Sequence, residues 1–231
     1  MNSAASSPLI DAVQAGSNLA LGGGGSSAVK IFLLLTALSF GTTILLSLTC
    51  FTRLIIVFSF LRQAMGTPQL PPNQVLMGLS LFLTMFIMAP TMTRVHEQAL
   101  GPLLDDQITV KEALQRAHGP VSAWMLEHTT EDDLLLFYEI SGRAKPARGE
   151  PIPLSVLAPA YMISELSTAF RMGLYLYIPM LLIDILIAAV LMSLGMMMVP
   201  PTLIAMPLKL GVFLLAGGWG LVVKSLVRSF G

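Results

Sequence analysis

Charge is what this chain of 231 residues has least of: Asp, Glu, Lys and Arg together make up 11%, against about 25% in ordinary soluble domains. So thin a polar coat cannot cover a water-facing surface. With 55% hydrophobic residues and a mean hydropathy of +0.77, the composition indicates an integral or membrane-associated protein. The 13 basic and 13 acidic residues cancel, which leaves no electrostatic footprint for nucleic acid. One cysteine excludes a disulfide within the chain; Cys50 lies in an apolar run and reads as a small buried hydrophobe rather than a reactive thiol. His96, His118 and His128 lack the spacing of a metal motif, and the sequence holds no HExxH, Cys/His cluster, nucleophile–base pair or phosphate loop. An enzyme would need residues that the sequence does not advertise. Neither a cofactor nor a metal is implied.

What is present is apolar length. Residues 1–30 are small and polar, ending in a Gly-Gly-Gly-Gly-Ser-Ser run, and read as a flexible leader. Before Lys30 there is neither the positive start nor the apolar core of a secretory signal, which leaves targeting to the first apolar helix or to a signal lost from this sequence. Residues 31–93 read as a first apolar hairpin. Its first arm, residues 31–63, would be roughly 50 Å long as one helix, too long for an upright span, so it must bend, tilt or rise out of the lipid; Gly41 is one bending point. A turn rich in proline and glycine follows, and residues 75–93 carry no charge. The connecting segment holds Arg53 and Arg62 and no acid, which places it on the cytoplasmic side by the positive-inside rule.

Residues 94–158 read as a small helical extracytoplasmic insert. Thr109 and Glu112 match a capping box, Gly119-Pro120 predicts a break or kink, and Thr130 ahead of Glu131-Asp132-Asp133 marks a second helix start that ends at Gly142. The second apolar hairpin occupies residues 159–231. Its turn, Gly195-Met196-Met197-Met198-Val199-Pro200-Pro201, stops an apolar helix, because glycine takes angles that end one and proline lacks the amide hydrogen to continue one. On these residues alone two readings stand: a pore lining, since irregular backbone at membrane depth must be buried or face water, or a packed turn with methionine as filler.

Asp184 is the one charge from Met172 to Leu208, and Lys209 the one charge from Leu203 to Val223. They lie 14 residues before and 11 residues after Met198, roughly 21 and 17 Å from the turn and so near one level. An ionisable side chain at membrane depth is costly unless paired or wet. The spacing therefore predicts an Asp184–Lys209 ion pair, within a hairpin or between subunits. The rival reading makes Asp184 a proton-relay carboxylate in an ion-coupled transporter, which would call for inverted repeats.

The stretches TRLIIVFSFLRQAMGTP from Thr52, PPNQVLMGLSLFLT from Pro71, PAYMISEL from Pro159, IPMLLIDILIA from Ile178, LGMMMVPP from Leu194 and PLKLGVFLLAGGW from Pro207 resemble the FliP family of flagellar type III export gates. A related injectisome subunit family has similar blocks; the Thr52-Arg53 start and the Val199-Pro200-Pro201 ending look more like the flagellar branch. The resemblance implies an all-α protein of four long apolar helices with a small helical extracytoplasmic insert. It implies a non-enzymatic pore subunit in the bacterial inner membrane at the flagellar basal body, with the assembly raised toward the periplasm. Partners would be further copies of itself, FliQ-like and FliR-like subunits, the larger FlhB/FlhA-like apparatus and the unfolded flagellar proteins that pass. It further implies a methionine gasket at Met196, Met197 and Met198 and packing roles for Asp184 and Lys209. Glu165, in the SEL motif, would be an interface residue, a role extended here to Arg53 and Arg62.

Overall fold

The computed structural model describes residues 35–36, 46–67, 69–143, 152–196 and 198–231. The expectations for the leader, for Gly41 and for residues 31–34 and 37–45 of the first arm fall outside these residues. Two units divide the chain at Leu46/Ser47, and the second, Ser47–Gly231, holds the elements described below.

All regular structure among the described residues is helical. Helix α1, Phe51–Ala64, begins after a turn at residues 48–50, so the stretch expected as one helix over residues 31–63 is interrupted there. Thr49 supplies the cause: its hydroxyl accepts the N–H of Phe51 at 3.4 Å, the local competition by which Ser and Thr draw backbone out of a helix. Leu54, Val57, Phe58 and Leu61 follow at helical spacing and are buried. Each such side chain contributes about 1.5–3 kcal/mol by leaving water.

Helix α2, Asn73–Val95, continues through a widened turn, His96–Leu100, and a short last piece, Gly101–Leu104. Helix α5, Leu154–Ser193, runs 40 residues through Pro159 and Pro179. At about 1.5 Å per residue it is roughly 60 Å long, twice a bilayer's hydrocarbon core of about 30 Å. Helix α6, Pro201–Leu215, and α7, Gly218–Arg228, meet at a 64° bend. Asn73–Leu104 and Leu154–Ser193 are long and apolar enough to cross a membrane; α6 and α7 add a third if they form one bent span.

Helix α1 packs chiefly on α5, and Gly173 lies directly against Phe60 of α1. A Cβ there would stand 2.6 Å from Cγ and 3.0 Å from Cβ of Phe60, while the Phe60 ring lies edge-on to Phe170 at 5.4 Å. Gly173→Ala is expected to push that ring aside and cost about 1–3 kcal/mol, read from denaturation of the purified protein.

Helices α3, Val110–Glu127, and α4, Glu131–Ser141, build the polar insert. The Gly119-Pro120 break does not occur: α3 passes through Pro120, which is buried with Ala113, Trp124 and Met125 on the packed face. Tertiary packing of that face outweighs the single backbone hydrogen bond proline forfeits. At the N-terminus of α3, Glu112 accepts the Thr109 N–H at 2.9 Å and its hydroxyl at 3.1 Å, and these bonds hold the Glu112 carboxyl below its ordinary 4.5. A lowered value means the capping contribution is complete above the ordinary carboxylate range and is lost as pH falls through the lowered value. Hydrogen exchange of the first turn of α3, corrected for intrinsic rates, is expected to accelerate on that acidification in the wild type and to show no such step in Glu112→Gln.

Candidate functional site

The methionine turn is built from two opposed helix ends. Leu194 follows the last helical residue of α5, and Gly195 takes φ 75°, a left-handed conformation that glycine adopts without steric cost. The Gly195 N–H then donates to Met192 O at 3.1 Å and the Met196 N–H to Leu191 O at 3.0 Å. This nested pair is the Schellman ending, which satisfies carbonyls that a helix C-terminus otherwise leaves open. Pro201 occupies the first turn of α6, where its missing N–H has no intrahelical use, and Leu203 N–H closes onto Pro200 O at 3.2 Å. Gly195, Pro200 and Pro201 thus make the break. Met196 is 44% exposed and Met198 96% exposed, while Met197 lies outside the described residues.

Below the turn the structure brings Asp184 and Lys209 together. Lys209 is 4% exposed; its ammonium donates to Asp184 Oδ2 at 2.5 Å and to the carbonyl of Ala64 at 3.0 Å. Ala64 is the final residue of α1. A helix C-terminus carries partial negative charge and unpaired carbonyls, so the lysine neutralises a carboxylate and a helix end at once. The contact to Ala64 spans 145 residues and has no sequence signal.

A second charged centre sits at the other end of α1. Arg53 donates from Nε to Glu165 Oε2 at 2.9 Å and from Nη2 to Glu165 Oε1, a bidentate pair with exposures of 4% and 0%. Its Nη1 donates to the carbonyl and hydroxyl of Ser229, each at 3.1 Å, and its guanidinium lies 3.9 Å from the centre of the Phe230 ring. One side chain therefore ties α1, α5 and the C-terminal end together. Phe230 stacks on Trp124 at 5.9 Å, and the Trp124 indole donates to Tyr161 OH at 3.4 Å. Beside Glu165, Ser164 donates to Asp133 at 2.5 Å and accepts the Thr130 N–H at 3.0 Å, joining the start of α4 to α5. Arg62 serves differently: it donates to Asn73 Oδ1 at 2.5 Å and to Pro71 O at 3.4 Å across the α1–α2 turn. Sequence reasoning named Arg53, Arg62 and Glu165 singly and missed Ser229 and Phe230, which nothing local distinguishes.

No group of three or more His, Cys, Asp or Glu among the described residues could hold a metal ion. A chain whose described residues are all helical where regular and hold two or three membrane-capable apolar helices, with buried charges tying helices to one another, is a membrane-associated helical protein by fold. Comparison with known proteins narrows that class. Residues 34–226 match the FliP family, and the chain belongs to that family. It is 50% identical over 205 residues to the flagellar biosynthetic protein FliP of Bacillus subtilis, covering 89% of this chain and 93% of that one. It is 49% identical to the FliP of Pectobacterium carotovorum, over 88% of this chain and 79% of that protein, and 47% identical to the FliP of Aquifex aeolicus, over 88% and 86%.

Proposed function

We propose that this chain is a non-enzymatic, pore-forming subunit of the flagellar type III export gate, passing unfolded flagellar proteins across the bacterial inner membrane. The observation that carries it is the turn at Gly195–Pro201, where the α5 end has its last carbonyls satisfied internally and two of three consecutive methionines stand exposed. A single chain wastes apolar surface by exposing Met198 in this way. A ring of copies uses it: soft, unbranched thioethers from each subunit close on one another and deform around passing chains of varied sequence.

In this reading residues 1–30 are a leader, 31–93 and 159–231 are the two apolar hairpins, and 94–158 are the periplasmic insert, giving four long apolar helices. The length of α5 supports an assembly raised toward the periplasm, where apolar surface far longer than a bilayer is covered by neighbouring copies and by FliQ-like and FliR-like subunits. Asp184, Lys209, Arg53 and Glu165 act as packing residues that hold each subunit's hairpins in shape, and FlhB/FlhA-like components complete the apparatus. Lys209 beside Asp184 supports packing over a proton relay, since the ion pair and the bond to Ala64 tie three helices together.

The test is the replacement of Met196, Met197 and Met198 together by alanine. Cells carrying it are expected to leak small ions while the complex still assembles and motility persists in part. Conductance equal to the wild type, with assembly intact, would remove the gasket from this account.

A further inference from the structure

Helix α7 carries two adjacent stripes at four-residue spacing that the gate reading leaves unused. Trp219, Val223 and Val227 form the apolar one; Gly220, Lys224 and Arg228 form the other. Together with Leu79 of α2 they line an open groove of about 720 Å³, within the size range of small-molecule sites. The apolar wall is half-buried at Leu79, Trp219, Val223 and Val227, and Gly220, lacking a side chain, leaves it open: a Cβ there meets nothing within 4 Å. Lys224 and Arg228 are exposed at one side, and among the described residues neither side chain has a hydrogen-bond or ion-pair partner. Like charges four residues apart on a helix are mutually unfavourable, and an anion shared between them relieves that. From Trp219 to Arg228 the groove extends roughly 14 Å along the axis.

We infer that this groove binds a membrane phospholipid with an anionic headgroup, an acyl chain lying on Trp219, Val223, Val227 and Leu79 and the phosphate between Lys224 and Arg228. Two observations select this occupant. The floor is apolar over a length that suits an extended hydrocarbon chain, and the two cations flank only its second half, beside Val223 and Val227, so that a chain from a phosphate held there runs back toward Trp219 and Leu79. Basic pockets between membrane helices recognise lipid headgroups by the same chemistry, and α6 with α7 qualifies as a bent membrane-capable pair. A zwitterionic lipid would offer the same chain with a headgroup whose own ammonium competes for the phosphate.

The experiment uses the full chain purified in mild detergent and examined by native mass spectrometry. Phosphatidylglycerol and phosphatidylcholine with identical acyl chains are titrated in turn. The wild type is expected to retain phosphatidylglycerol at least tenfold more strongly. Lys224→Gln with Arg228→Gln is expected to abolish that preference while weak binding of both lipids persists. Gly220→Phe fills the groove where space is open and is expected to remove both lipids, with helicity by circular dichroism unchanged. Equal retention of the two lipids by the wild type overturns the proposal, and so does an undiminished preference in the double glutamine variant.

Discussion

Glu165→Ala is expected to lower the stability of the purified protein by about 3–5 kcal/mol, the cost of leaving a buried charge without its partner. Arg53 would keep its position between α1 and the C-terminal end with 4% exposure, its charge left without a counter-ion. Two of its bonds, to Ser229, would remain, which keeps the effect short of losing the whole centre. Arg53→Lys is expected to cost nearly as much, because an ammonium cannot span both carboxylate oxygens, bond Ser229 and stack on Phe230 at once. Arg53→Met combined with Glu165→Leu is expected to recover a large part of the loss, since removing both charges leaves neither desolvated alone. Chemical denaturation in detergent, with Arg53→Met, Glu165→Leu and the double variant in one cycle, measures this directly. A Glu165→Ala protein as stable as the wild type would mean the pair is not closed in the folded molecule.

Lys209→Met is the second large effect, expected at about 2–4 kcal/mol. The substitution preserves length and apolar packing but leaves Asp184 with no cation and the Ala64 carbonyl with no donor. Asp184→Asn is expected to be milder, because Asn still accepts a hydrogen bond from the ammonium and the side chain at 184 is 30% exposed. Exchanging the charges, Asp184→Lys with Lys209→Asp, is expected to restore the pair but not the bond to Ala64, for an aspartate at 209 carries no proton to donate to a carbonyl. Assembly in cells should therefore return only in part. Full restoration would show that the Ala64 contact contributes nothing.

These two centres also mark how far the sequence could be read. The apolar runs, the capping box at Thr109, the second start at Thr130 and the helix stop at Gly142 and Gly195 are local statements, governed by residues within one helical turn, and they are legible one residue at a time. The Asp184–Lys209 spacing was legible because both arms leave the same turn, so depth can be counted from it. Arg53 and Glu165 stand 112 positions apart, and Arg53 and Ser229 stand 176 apart; no count along the chain relates them, and only the packing of α1 on α5 does. Pro120 failed in the opposite sense. Its local signal for a break was clear, but the packed face of α3 overrode it.

The placement of the two charged centres at either end of α1 restricts how the long helix beside it can move. Arg53 holds the beginning of α1 to α5 through Glu165, and Lys209 holds its end to α5 through Asp184. Sliding α5 lengthwise against α1 would have to break both at once, and the Phe60 ring against Gly173 obstructs the path between them. Shear, the usual small displacement of packed helices, is therefore denied over residues 165–184. The last turns of α5, beyond Asp184, lie outside the clamp. The tip that bears the methionines lies beyond that lock, so in the gate proposed above an opening stroke in one subunit need not travel down its length to disturb the insert at the far end.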